Sequence, residues 1–152
     1  MTWEGHLIST LALTYAVTKN IPFSIAISSF SHLPDLIEFN AGRLVFRKHR
    51  GVSHSPFLWI CILLAMLPLT RHPMVTDSAR LLASIGAEPY WILFPAIGAF
   101  MHLAEDALSF SGIPLWKGKK IALRFYKTGT ITEVTTIIGL LAVALVLNFV
   151  CC

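Results

Sequence analysis

The chain has 152 residues, with a hydrophobic fraction of 55%, a charged fraction of 13% and a formal net charge of +4. Soluble domains carry about 25% charged residues, so too few polar side chains exist here to coat a water-facing surface, and lipid must cover part of it. The length suits one domain, residues 1–152, rather than two.

The positive charge does not point to nucleic acid. Basic residues cluster at Arg43, Arg47, Lys48 and Arg50, and again at Lys117, Lys119, Lys120, Arg124 and Lys127. Both clusters separate apolar segments, as positive-inside loops do, where they can touch anionic headgroups. The chain offers no soluble basic groove with aromatic stacking platforms, so nucleic acid is not an expected partner. Cys61, Cys151 and Cys152 lack metal-ligand spacing, and neither a disulfide framework nor a thiol catalyst is expected. Met1 to Gly5 has no basic n-region, so no removable signal peptide is expected.

Along the chain, Leu7 to Val17 reads as a helix, broken at Lys19-Asn20-Ile21-Pro22. Phe23 to Phe30 follows and runs into His32-Leu33-Pro34-Asp35. A full span needs about 20 apolar residues. Neither stretch reaches that alone, which predicts a short N-terminal helical hairpin buried against other helices. Pro56 to Leu69 reads as the next helix, with Ser53 or Ser55 as its N-cap and Pro56 in its first turn. Residues 71–88 form the most polar connection, with a short interfacial helix. Trp91 to Leu108 reads as one long apolar helix ended by Ser111-Gly112-Ile113-Pro114. Val134 to Val150 is the cleanest spanning segment.

The expected architecture is an all-α, multi-pass membrane helix bundle of about four to five helices. Charge places residues 40–50 and 115–130 in the cytoplasm, with the N-terminus cytoplasmic and the C-terminus periplasmic. His6, Asp35, His49 and His54 then all fall at cytoplasmic helix ends, level with His102 and Asp106.

His102 and Asp106 are the strongest local signal. An i,i+4 pair projects from one helix face, and ionisable groups in so apolar a helix face a cavity or a partner. His49-Arg50-Gly51-Val52-Ser53-His54 is the second: Gly51 permits a sharp turn, and Arg50 presents a planar fork to a phosphate or carboxylate. Asp35 and His6 are weaker, and His32 is ambiguous. Each has a plainer reading alone: a hydrogen bond that packs two helices, a basic anchoring loop, a helix cap, an incidental histidine. Glu133 on its own reads as a cap of the last helix.

Together they read differently, because histidine and carboxylate form the mixed ligand set that suits zinc, or manganese as the alternative. Asp35, His54, His102 and Asp106 would supply one ion, and Asp106 would bridge to a second held partly by His6. Such an ion lowers the pKa of its water towards about 7, which points to hydrolysis at a phosphorus or carbonyl centre.

The motifs Gly5-His6-Leu7, Leu33-Pro34-Asp35, His49-Arg50-Gly51-Val52-Ser53-His54, His102 to Asp106 and Ser111 to Leu115 occur in that order. In this they resemble the YdjM-like family of inner-membrane, metal-dependent hydrolases, itself similar to zinc-dependent phospholipase C and the related single-strand nucleases. The resemblance spans most of the chain, including Gly129 to Glu133. It implies that Asp35, His54, His102 and Asp106 ligate one zinc and that His6 and Asp106 belong to a second. It also places His49, Arg50 and Glu133 at motif positions, with roles in substrate contact or in supporting the ligands. Ile37 stands where the family reads a second aspartate, with Glu38 adjacent. The implied substrate is a phosphoester or phosphoanhydride of a lipid, cleaved at the cytoplasmic face. The alternative is a non-catalytic membrane protein that keeps a structural metal and binds a partner protein.

Overall fold

The computed structural model describes residues 1–41, 51–82, 89–115 and 119–150. Helix α1 (Trp3–Thr18) is capped by Thr2, whose hydroxyl accepts the Gly5 amide, and it stops where Lys19 turns left-handed at φ 54°. Asn20 caps α2 (Ile21–Phe30) through the Phe23 amide, with Pro22 in the first turn. The expected helical hairpin is therefore present, closed by the Lys19-Asn20 turn.

The sequence predicts no separate helix at α3 (Leu33–Ala41), where Asp35 alone reads as a helix cap. Proline needs no amide donor in a first turn, so the residue that disfavours a helix before it opens one here. A 3-10 turn, Val52–His54, leads into α4 (Pro56–Met66), whose N-cap is Ser55. The helix is shorter than the predicted Pro56 to Leu69. Pro68 has no N–H for the carbonyl of Leu64, and the chain tightens into a 3-10 helix over Leu67–Arg71. The polar connection contains α5 (Pro73–Leu82). The predicted helix Trp91 to Leu108 divides likewise: Pro89–Leu93 is 3-10, and α6 (Phe94–Ala107) starts with Pro95 in its first turn.

A small departure from all-α follows α6. Strands β1 (Ile113–Pro114) and β2 (Lys120–Ile121) pair antiparallel. Gly112 makes the corner at φ 63°, where a Cβ would lie 2.1 Å from the Ile121 carbonyl oxygen. Helix α7 (Ile131–Val150) ends the described chain.

Helix α6 sits at the centre, packed against α1, α2, α3 and α4. Its small residues allow this: Ala96 and Ala99 are fully buried and join Trp59, Leu103 and Ile113 in the core. Gly98 faces α2 so closely that a Cβ would stand 2.7 Å from the Ile27 carbonyl oxygen. Small faces of this kind let helix backbones approach where lipid gives no hydrophobic driving force.

Helices α1 and α7 lie side by side and point the same way. At one end the Thr2 amide donates to Glu133, and at the other the Lys19 ammonium donates to Asn148. Among the described residues, α7 is the one helix long and apolar enough to cross a membrane, and only 11% of its apolar window is buried. Exposed apolar side chains also line α1 (Leu7, Ile8, Val17), α2 (Ile21, Ile25) and α4 (Phe57, Ile60, Leu64).

Candidate metal centre

Four helical segments converge on one buried cluster. The first turns of α1 bring His6, α3 brings Asp35, the 3-10 turn before α4 brings His54, and α6 brings His102 and Asp106. His6, His54, His102 and Asp106 are buried, whereas the Asp35 side chain keeps 20% of its surface. The cluster opens to solvent on the Asp35 side.

The distances define a cage. Nε2 of His54 lies 3.1 Å from Asp35 Oδ1 and 3.8 Å from Asp106 Oδ2. Nε2 of His102 lies 3.7 Å from Asp35 Oδ1 and 3.6 Å from Asp106 Oδ2. The two Nε2 atoms are 3.3 Å apart. Four ligands held at about 2.0–2.2 Å around a tetrahedral ion stand roughly 3.3–3.6 Å from one another. These edges match.

The protonation pattern supports the same reading. His54 turns Nδ1 towards Ser53 Oγ and Glu38 Oε2, each at 3.1 Å. A carboxylate beside Nδ1 favours the proton there and leaves Nε2 as a lone pair facing the cage. His6 repeats the device. Its Nδ1 meets Glu105 Oε2 at 2.5 Å, and its Nε2, 3.6 Å from Asp106 Oδ1, has no hydrogen-bond partner. Lone pairs and carboxylate oxygens that converge in a buried space repel one another unless a cation lies between them. The residues present therefore fit a divalent ion, and overlapping groups of these side chains (His6, Asp35 and His102; His54, His102 and Asp106) each bring their ligand atoms within 4.8 Å.

Glu105 had no place in the sequence reading. It is buried, Ser9 donates to its Oε1 at 2.6 Å and Thr10 at 3.1 Å, and its other oxygen holds His6. The signal in the sequence was an acid beside Asp106 in an apolar helix, but only the fold shows that it faces α1. Glu38 also supports a ligand: it lies against His54 Nδ1 within the group Asp35, Glu38 and His54.

The other predicted residues fall in different places. Glu133 is buried and spends both oxygens on backbone amides, that of Thr2 at 2.5 Å and that of Gly129 at 2.6 Å. It clamps the chain start to the head of α7, and the Met1 ammonium in turn donates to Asp106 Oδ1 at 2.9 Å. His49 and Arg50 lie outside the described residues. His32 sits half-buried at the α2–α3 junction, its ring tilted on Trp3 with centroids 5.6 Å apart. Burial, and then the neighbouring His6 ring, hold its pKa below the ordinary histidine value. Burial pushes the Asp35 carboxyl up, but the adjacent His54 and His102 rings outweigh it and leave Asp35 below its ordinary value. Cys61 is an exposed free thiol.

The family model described as YdjM inner membrane protein matches residues 1–151. No curated protein and no solved structure matches the chain.

Proposed function

The chain belongs to the YdjM inner membrane protein family, and from that premise we propose that it is a multi-pass, metal-dependent hydrolase acting on a phosphoester or phosphoanhydride of a lipid at the cytoplasmic face. One observation carries this: His54, His102 and Asp106 converge in a buried cage whose fourth side, Asp35, stays 20% exposed and so open to water and substrate. Zinc suits the donor set best, with manganese second. His6 and the second oxygen of Asp106 offer part of a second position.

A divalent ion held in the cage supplies Lewis acidity to water and to a phosphoryl oxygen. The chain's own residues do the rest. His54 and His102 present neutral nitrogen, while Asp35 and Asp106 bring the negative charge that balances a dication. Glu105 holds the His6 ring in one tautomer, and Glu38 lies against His54 Nδ1. Asp35, the exposed ligand, marks the side from which water and substrate enter. His49 and Arg50 lie just ahead of the His54 turn in sequence, and a guanidinium such as that of Arg50 suits a phosphate.

The membrane reading is supported by α1 and α7 lying parallel. Sixteen residues of α1 extend about 24 Å beside α7, so α1 would lie in the same layer as that span, with the cage near the N-terminal ends of both.

One feature favours the second reading, a structural metal in a partner-binding protein: four protein ligands close a tetrahedron, as in structural zinc sites. Cobalt substitution separates the two. A five-coordinate visible spectrum, with water on the ion, supports the hydrolase, and an intense tetrahedral spectrum supports the structural staple. The activity test is phosphate release from lipid phosphates by the zinc-loaded protein in detergent. Release that disappears with chelator and in His102→Ala is expected. No release from any lipid phosphate or pyrophosphate would contradict the proposal.

A further inference from the structure

The segment from Lys119 to Lys127 exposes apolar and basic side chains in alternation. Lys119, Lys120, Arg124 and Lys127 are exposed, and between them Leu123 and Phe125 keep 58% and 66% of their surface. Soluble surfaces seldom leave large apolar side chains this open next to one another.

The segment is not a loose loop. The Leu123 amide donates to the Ala107 carbonyl and the Phe125 amide to the Leu108 carbonyl, both at 2.8 Å, so this stretch caps the C-terminal carbonyls of α6. Tyr126 is fully buried, and its hydroxyl donates to the Glu105 carbonyl at 3.1 Å. Arg124 takes a left-handed φ of 61° between the two pinned amides. The backbone is thus fixed to the helix that carries His102 and Asp106, and the outward side chains have no part in that fixing. The β1–β2 hairpin at its start packs on the turn that carries His54. Four residues beyond Lys127, α7 begins.

We propose that residues 119–127 form an interfacial ledge that binds anionic phospholipid, with Lys119, Lys120, Arg124 and Lys127 on headgroup phosphates and Leu123 and Phe125 in the upper acyl region. Charge complementarity selects this occupant over a zwitterionic lipid, and continuity with α7 sets the depth of the ledge. The binding requires the membrane placement of α7 but not turnover at the metal centre, so the ledge and the hydrolase proposal fail separately.

The test is lipid retention by the full-length, delipidated protein in detergent. Native mass spectrometry follows binding of added phosphatidylglycerol against phosphatidylcholine. Each basic residue near an anionic surface contributes about fivefold in affinity. The triple variant Lys120→Gln, Arg124→Gln, Lys127→Gln is therefore expected to lose roughly a hundredfold of its phosphatidylglycerol affinity, with phosphatidylcholine unchanged. Leu123→Ser with Phe125→Ser is expected to weaken both lipids alike. The pair Lys120→Arg and Lys127→Arg keeps the charge and is expected to retain wild-type binding, which guards against misfolding as the cause. Equal retention of the two lipids by the wild type, as a surface reserved for a protein partner would give, overturns the proposal. So does an unaltered preference in the triple variant.

Discussion

His6 and Glu105, 99 positions apart, meet as an imidazole Nδ1 and a carboxylate oxygen 2.5 Å from one another in the buried centre of the molecule. The contact fixes which His6 nitrogen faces Asp106. Glu105→Gln keeps the shape of the side chain and removes its charge, so His6 loses the anion that orders its tautomer. If the second metal position draws on His6, affinity for that ion falls about 10–100-fold. Competition against a chromophoric chelator measures it. Unchanged affinity would make Glu105 a packing tie between α1 and α6.

Gly98 tests the packing that holds this centre. A Cβ there meets backbone of α2, the Ile27 carbonyl oxygen at 2.7 Å and the Phe30 carbonyl carbon at 2.7 Å, and backbone cannot swing aside. Gly98→Ala is expected to cost about 1–3 kcal/mol through overpacking, seen as a lower Tm in detergent. A wild-type Tm would mean that α2 and α6 adjust freely.

Glu133 distinguishes support from chemistry. Its two oxygens accept the amides of Thr2 and Gly129, and since water can reach both exposed residues, Glu133→Ala costs about 1 kcal/mol per lost hydrogen bond. We expect a lower Tm and a chain start no longer clamped to α7. Lost turnover at an unchanged Tm would instead put Glu133 in the reaction.

Much of this architecture was legible in the sequence, for local reasons. The Lys19-Asn20 break, the caps and the apolar run of α7 are read from neighbouring residues. His102 and Asp106 announce themselves as ionisable groups at helical spacing in an apolar segment. Helix limits were less legible where proline acts within a turn: Pro68 and Pro95 shorten apolar runs that periodicity alone continues, and Pro34 opens a helix where none was predicted. Glu105 and Glu38 could not be assigned, because each supports a histidine that arrives from a distant part of the chain. The clamp role of Glu133 depends on Thr2 lying beside it, a contact that no spacing encodes.

Topology follows from the parallel course of α1 and α7. Thr2 pairs with Glu133 and Lys19 with Asn148, so, with α7 as the span, the N-terminus and the head of α7 are expected on one side and the far end of α7 on the other. A reporter fused after Cys152 is expected to read periplasmic, and a reporter ahead of Met1 cytoplasmic. Reporters that read the same side would break the α1–α7 arrangement.

The central claim is that Asp35, His54, His102 and Asp106 hold a divalent ion. Metal content of the detergent-purified protein by inductively coupled plasma mass spectrometry, wild type beside His102→Ala, tests it most directly. We expect zinc or manganese bound to the wild type and lost from a variant that still folds. A well-folded wild type that takes up neither ion, even after zinc or manganese is added, would contradict the account and leave these side chains as a hydrogen-bonded packing network.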